Sequence, residues 1–383
     1  MGKSAFTFLI ISMAIMAAMI CQAEPNGHNA SKDSVWQLIK PYFSPPPEFE
    51  NQYGNYRSPL EFYDGRKVSS HKEWKGRRQE ILSCWQDLMG SWPPLIHNPE
   101  MEIIEYTHRE NFTQYKIKFE WIKGEKTTAY LLVPDAKGRK PAVVTVFYEP
   151  ESAAGLNRPL LDFAFQLAKR GFVALSIGTA GMRKSPPYNQ YYPHPDNATV
   201  EPLSMLAYLA ANSCNLLVNN PEVDSTRIGI VGHSYGGKWA MFASCLYEKF
   251  ACAVWSDGGI VFDESRPNVN YWEPWYLGYH KPPWRNRGLI TEENPAKGLY
   301  PKLIKEGHDL HELHALMAPR PFLVSGGSED TLERWIPLNY SIKINQFLGF
   351  KDRVGMTNRA GHSPTPKSNN QICQFFEYFL KYY

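Results

Sequence analysis

From about residue 100 to the C terminus, short apolar runs alternate with amphipathic segments of helical period, and few folds accommodate that rhythm. The predicted strands are Tyr115–Ile122, Thr128–Pro134, Ala142–Phe147, Val173–Ile177, Ile228–Val231, Ala251–Trp255, Phe322–Ser325 and a short last one over Val354–Arg359. The central runs are apolar and β-branched, as expected of strands covered on both faces. Between them, Leu160–Arg170 places Leu160, Phe163, Ala164 and Leu167 in helical register and stops at Gly171. Residues 202–218 begin with Pro202 in the first turn, and residues 365–381 carry Ile372, Phe375, Phe376 and Phe379. Such alternation predicts an α/β fold with a parallel sheet sandwiched by helices. No internal repeat is present.

The first hundred residues read differently. Lys3 precedes an apolar run from Ala5 to Ile20, followed by Cys21, Gln22 and Ala23. A positive start, a short apolar stretch and a small residue at the cut describe a secretory signal over residues 1–23, and hence a secreted or periplasmic protein. The run is short for a membrane span, which needs about 20 residues. Lipidation at Cys21 is the alternative; without it, no membrane association is expected after cleavage. Residues 24–98 form an irregular and helical extension, with Ser44-Pro45-Pro46-Pro47 at the centre of a wrap. Ser70-His71-Lys72-Glu73 then matches a capping box ahead of a helix that Gly90 closes. Residues 99–383 form the α/β domain, interrupted by a cap insertion at about 258–308.

Composition narrows the partners. The 41 Lys and Arg nearly balance 38 Asp and Glu, and no like-charge run stands out, so nucleic acid is not expected. Past residue 23 the cysteines are Cys84, Cys214, Cys245, Cys252 and Cys373. They are too sparse for a disulfide framework, and buried free thiols are the expectation. The oligomeric state is not legible.

Gly232-His233-Ser234-Tyr235-Gly236 is a G-x-S-x-G pentapeptide. A bare match arises by chance in roughly one chain in eight of this length, so context decides. Arg227-Ile228-Gly229-Ile230-Val231 is a strand leading in, and Gly237–Ala243 is helical leading out. That strand–turn–helix setting is what a nucleophile elbow requires. The serine oxygen is lifted clear of the strand end, and the Tyr235 N–H points to where an oxyanion would form.

With Asn220–Ile228 leading into it, this pentapeptide resembles those of the α/β-hydrolase superfamily, in particular dienelactone hydrolases, acetyl xylan esterases and prolyl-oligopeptidase-type enzymes. The resemblance covers about residue 100 to the C terminus. It implies a mostly parallel eight-stranded sheet flanked by helices, and a Ser–acid–His order of catalytic residues. Ala360-Gly361-His362-Ser363-Pro364, after the last strand, supplies His362 as the base. For the acid, Phe322–Ser325 runs into Gly326-Gly327-Ser328-Glu329-Asp330, and the resemblance implies Asp330. Glu329 is one alternate, and Asp257, after the preceding strand, is the other. The second oxyanion donor is expected from backbone at Tyr148 or Glu149, with the Glu149 side chain pointing away.

His308-Asp309-Leu310-His311-Glu312-Leu313-His314 invites a metal reading, but a spacing of three rotates successive histidines by about 60° around a helix. Packing is the expectation, with no metal and no organic cofactor. Trp272, Trp275 and Tyr276 fall in the cap, and Tyr188, Tyr191 and Tyr192 follow another strand. At the carboxyl edge of the sheet they could stack on sugars or simply pack the cap. Glucuronoyl esterases have an elbow of the form G-C-S-R-x-G-K, which Gly232, Ser234, Gly237 and Lys238 match. Tyr235 replaces the arginine, which weighs against a glucuronoyl ester and leaves a neutral acyl ester open.

Lys238, Trp272, Trp275 and Tyr276 are thus the expected substrate-binding residues. The expected activity is an exported serine ester hydrolase acting on acetyl or uronate esters of complex carbohydrate. A prolyl-oligopeptidase-type peptidase and a non-catalytic carbohydrate-binding protein are the alternatives.

Overall fold

A computed structural model describes residues 31–179 and 190–382. The predicted signal segment, Cys21 and Tyr188 lie outside these residues. Nine strands form one sheet: β1 (Met101–Arg109), β2 (Phe112–Ile122), β3 (Glu125–Pro134), β4 (Lys140–Phe147), β5 (Val173–Gly178), β6 (Val223–His233), β7 (Cys252–Ser256), β8 (Phe322–Gly326) and β9 (Val354–Asn358). Their spatial order is β1-β2-β3-β5-β4-β6-β7-β8-β9. The β1/β2, β2/β3 and β3/β5 pairs are antiparallel, and every pair from β5/β4 to β8/β9 is parallel.

The sheet therefore has nine strands rather than the expected eight. The strand missing from the sequence reading is β1. Eight of its nine side chains are exposed, so it shows none of the apolar signature that marks the other strands.

Ten α-helices accompany the sheet: α1 (Lys32–Ile39), α2 (His71–Met89), α3 (Pro150–Ala153), α4 (Phe163–Lys169), α5 (Pro202–Val218), α6 (Tyr235–Leu246), α7 (Tyr300–Glu306), α8 (His311–Ala315), α9 (Trp335–Phe347) and α10 (Pro366–Phe376). The central strands divide their side chains between the two faces, as a period of two demands. Val144, Val146, Ile228, Ile230, Ala253 and Trp255 join a core with α2, α5, α6 and the cap. Val143, Val231, Val254 and Leu323 face the opposite core with Ile39, Phe43, Leu167, Ile372 and Phe376. From Lys32 onward these contacts make one compact unit.

From Asp257 to Leu299 the chain contains no helix or strand. Buried side chains hold this insertion together. Glu273 and Arg285 pair at 2.8 Å with almost no exposure. Arg285 also donates to the carbonyls of Gly288, Leu289, Asn294 and Pro295, which replaces regular backbone pairing.

The connection from β4 runs to β5 on one side, whereas β6 lies on the other. Strand order reverses there, and open α/β sheets place their ligand crevices at the carboxyl end of such a point. The ends of β4, β6, β7, β8 and β9 carry Tyr148, Ser234, Asp257, Asp330 and His362 to that edge.

Candidate active site

Ser234 sits between β6 and α6 with φ 56° and ψ −115°, a left-handed conformation that a side-chain-bearing residue adopts only under constraint. Its N–H is fixed by the Ser256 carbonyl at 2.8 Å. The flanking glycines explain how the turn closes. A Cβ at Gly232 would lie 2.2 Å from the Gly236 carbonyl oxygen, and one at Gly236 only 2.1 Å from that of Val146 in β4. Glycine is thus imposed by backbone crossing backbone.

His362 reaches the serine from the turn after β9. Its Nε2 lies 2.8 Å from Ser234 Oγ, and its Nδ1 lies 2.7 Å from Asp257 Oδ2. The Asp257 side chain has no exposure, whereas His362 keeps 31%. Burial pushes the Asp257 carboxyl up, but the His362 hydrogen bond, the Asp330 N–H and Arg359 outweigh it and leave the group below its ordinary value. Serine hydroxyl, imidazole and carboxylate form one continuous chain.

The carboxylate in that chain belongs to Asp257, not to Asp330. Asp330 is fully buried and accepts the N–H groups of Gly259 at 2.9 Å and Ile260 at 2.7 Å. Burial, followed by the nearby Asp257 charge, raises its carboxyl. Glu329 is turned to Ser328 Oγ and Asn268 Nδ2. Asp257 in turn accepts the N–H groups of Glu329 and Asp330 through Oδ1. The two aspartates therefore brace each other's turns. Pairing of His233 with Ser256 puts Ser234 and Asp257 on adjoining strand ends, and a φ of 48° turns Asp257 out of its strand. The signal in the sequence was an aspartate directly at a strand end before two glycines.

Two contributors escaped the sequence reading. Arg359 donates to the His362 carbonyl at 2.6 Å, the Ser363 carbonyl at 2.9 Å and the Ser325 carbonyl at 2.8 Å, tying the histidine turn to β8. Its position three residues before His362 was the only available cue. His233 is buried with its ring 4.7 Å from that of His362 and its Nδ1 3.1 Å from Ser256 Oγ. Burial, then the His362 and Arg359 charges, push it down to about 3, so it stays neutral.

The first N–H of α6 belongs to Tyr235, and a helix N-terminus favours a developing negative charge. The Tyr235 ring stacks on that of Tyr148 with centroids 4.5 Å apart, so the loop after β4 leans on the elbow. Glu149 points away, its carboxylate 3.3 Å from Arg158 and 3.4 Å from Ser152 Oγ.

Residues 206–293, which include the elbow, match the family described as BAAT / Acyl-CoA thioester hydrolase C terminal. A curated relative, a probable 2-oxo-3-(5-oxofuran-2-ylidene)propanoate lactonase from Bradyrhizobium sp, is 31% identical over 133 residues. That match covers 33% of this chain and 52% of the relative, so the chain spans about half the length of that protein. Solved structures align over far more. A glucuronoyl esterase from Solibacter usitatus superposes with a TM-score of 0.65 at 18% identity, over 85% of this chain and 97% of that one. A carbohydrate esterase family 15 glucuronoyl esterase from Caldicellulosiruptor kristjansonii gives 0.61 at 20% identity, over 88% and 93%. The chain has the α/β-hydrolase fold. A putative acetyl xylan esterase from Bacteroides fragilis shares it at a TM-score of 0.55 and 17% identity, over 82% of this chain and 81% of that one.

Burial corrects most of the substrate-binding expectations. Trp272 has no exposed surface and donates its indole N–H to the Gly288 carbonyl at 2.8 Å. Tyr276 is also buried, packed on Tyr235 and Tyr271. The buried Lys238 ammonium donates to the carbonyls of Gly258 and Asn268 and lies 4.6 Å from the Tyr271 ring centroid. Desolvation pushes Lys238 down to about 8 against the pull of Asp330, Glu329 and Asp257. These three side chains knit the cap to the elbow helix and leave no face for a sugar. Trp275 alone of the four is half-buried.

The histidine cluster also resolves into packing. His308 bonds Glu312, His311 bonds the Arg57 carbonyl, and His314 lies against Met241. Among the described residues, no group of three His, Cys, Asp or Glu could hold a metal. Among the same residues no helix is long and apolar enough to cross a membrane.

Proposed function

We propose that this protein is an exported serine hydrolase of carboxylic esters, with Ser234 as nucleophile, His362 as general base and acid, and Asp257 as the orienting carboxylate. The observation that carries this reading is the unbroken Ser234–His362–Asp257 chain at 2.8 and 2.7 Å, built on a strained serine. Ser234 Oγ attacks the ester carbonyl while His362 Nε2 takes its proton. The tetrahedral oxyanion is received by the Tyr235 N–H and by backbone N–H at Tyr148 or Glu149. The imidazolium then protonates the departing alkoxide, and water repeats the sequence on the acyl-enzyme. Asp257 holds the Nδ1–H tautomer and offsets the positive charge that forms.

The substrate is an acylated carbohydrate, bearing an acetyl or uronate ester. Fold neighbours described as glucuronoyl esterases and a putative acetyl xylan esterase support this class, and the lactonase relative supports an oxygen leaving group. Between the two acyl groups, the buried Tyr235 favours acetyl, because it supplies no positive charge beside the serine. Export rests on the apolar segment at residues 5–20.

Purified protein should hydrolyse p-nitrophenyl acetate, and Ser234→Ala should lose at least about 10³-fold of that rate. Release of acetate and methanol from acetylated and methyl-esterified polysaccharides then identifies the ester. Faster cleavage of a Gly-Pro anilide would turn the assignment to a peptidase. Failure of the folded protein to react with a fluorophosphonate would leave a binding protein.

A further inference from the structure

Outside the Ser234 group, the region around α8 holds a second set of thiol, imidazole and carboxylate. His308, just ahead of α8, places Nδ1 2.7 Å from Glu312 Oε2, and its Nε2 lies 4.0 Å from the sulfur of Cys84 on α2. Glu312 is completely buried and further fixed. Its Oε2 accepts Trp85 Nε1–H at 3.1 Å and the Tyr63 hydroxyl at 3.4 Å, while Arg57 lies 3.5 Å from Oε1. Carboxylate orienting imidazole and imidazole facing a nucleophile is the logic of an activated side chain.

The other charges around the imidazole are few. Glu306 at the end of α7 lies 3.8 Å from His308 Nε2, and Arg77 sits over the Tyr63 ring at 4.1 Å. Burial pushes His308 down, but Cys84 and Glu312 overcome it and raise the group to about 9. The imidazole, held by Glu312, thus faces the Cys84 sulfur at 4.0 Å, and a cation beside a cysteine marks the electropositive surroundings typical of reactive thiols. Exposure separates Cys84 from the remaining cysteines. Among the described residues all five are free, Cys84 is half-buried, and Cys214, Cys245, Cys252 and Cys373 are buried. Burial raises Cys214, Cys245 and Cys373 to about 12, and Cys252 well above its ordinary value.

We infer that Cys84, with His308 and Glu312 behind it, is a covalent modification site for low-molecular-mass disulfides. The Cys84 sulfur attacks one sulfur of the disulfide, forming a mixed disulfide and breaking the original S–S bond. The second sulfur departs as a thiolate and takes up the proton that the Cys84 thiol releases. No other oxidant enters. His308 is the positioning and activating residue of this step.

The test exposes the full folded chain to oxidised glutathione and maps adducts by peptide mass spectrometry. The expected result is a glutathionyl adduct on Cys84 and none on the four buried cysteines. Cys84 should react on the order of tenfold faster in the folded chain than in the same chain unfolded in urea. His308→Gln should abolish that excess while the melting temperature is retained; should that variant not fold, the folded-to-unfolded ratio in the wild type decides. An unmodified Cys84, a ratio of one or less, or an undiminished excess in folded His308→Gln would overturn the inference.

Discussion

Asp257 and Asp330 are both buried and lie within one loop's reach of each other, yet their surroundings give them different work. Asp257→Asn should lower kcat by about 10⁴-fold, because the amide reverses the tautomer that His362 needs. Asp330→Asn should leave kcat within about tenfold and instead cost about 1–3 kcal/mol in urea denaturation, since one of the two backbone N–H groups then faces an amide NH2 in place of a carboxylate oxygen. Steady-state kinetics beside unfolding curves separate the two outcomes. Arg359→Met should lower kcat with little change in KM, because it frees the turn that carries His362 without touching the substrate. Asp309 offers a pH prediction. Desolvation raises its carboxyl to about 7, although the Phe262 and Leu310 N–H groups oppose the shift. The folded chain therefore holds a proton that the unfolded chain releases near 3.9. Stability from this group is complete below about 3.9 and lost as pH rises through about 7. Urea midpoints should consequently fall from pH 4 to 8 more steeply in the wild type than in Asp309→Asn. At this scale the contact between Ser234 and His362 was legible because each follows a recognisable strand. The carboxylate that meets His362 was not, because three carboxylates follow two neighbouring strands and only the fold decides which one reaches Nδ1.

The elbow shows how little freedom one element has. With 2.1 Å between a Cβ at Gly236 and the Val146 carbonyl, Gly236→Ala has to push β4 and α6 apart. A loss of more than about 2 kcal/mol in unfolding free energy is expected, along with activity. Gly76, within α2, is the opposite case: a Cβ there would meet only the Phe62 ring, at an ordinary 3.9 Å. Gly76→Ala should raise stability by about 0.5–1 kcal/mol, read as a higher urea midpoint. The interior strands announced themselves by apolar runs, and α2 by its cap and closing glycine. The strand β1 was invisible for a physical reason: with both faces in water it has no side-chain pattern, and only its pairing with β2 defines it.

Across the whole molecule, the segment before the sheet is a fastening and not an appendage. Val35, Ile39 and Phe43 are buried, and Ile39 and Phe43 share a core with Ile372, Phe375, Phe376 and Phe379. At about 1.5–3 kcal/mol for each buried apolar side chain, a chain beginning at residue 45 should lose on the order of 5 kcal/mol and aggregate, as size-exclusion chromatography would record. The sequence reading recognised this stretch as a wrap but could not say what it covers, because its partners are more than three hundred residues away. Tertiary packing at shorter range hid the inward turn of the cap aromatics, whose neighbours come from the elbow helix and from one another. For anyone recombining parts of this fold, the mutual bracing of Asp257 and Asp330 sets a rule of inheritance. The turns after β7 and β8 have to be transplanted together, since either one grafted alone arrives without the foothold that keeps its partner's backbone in place.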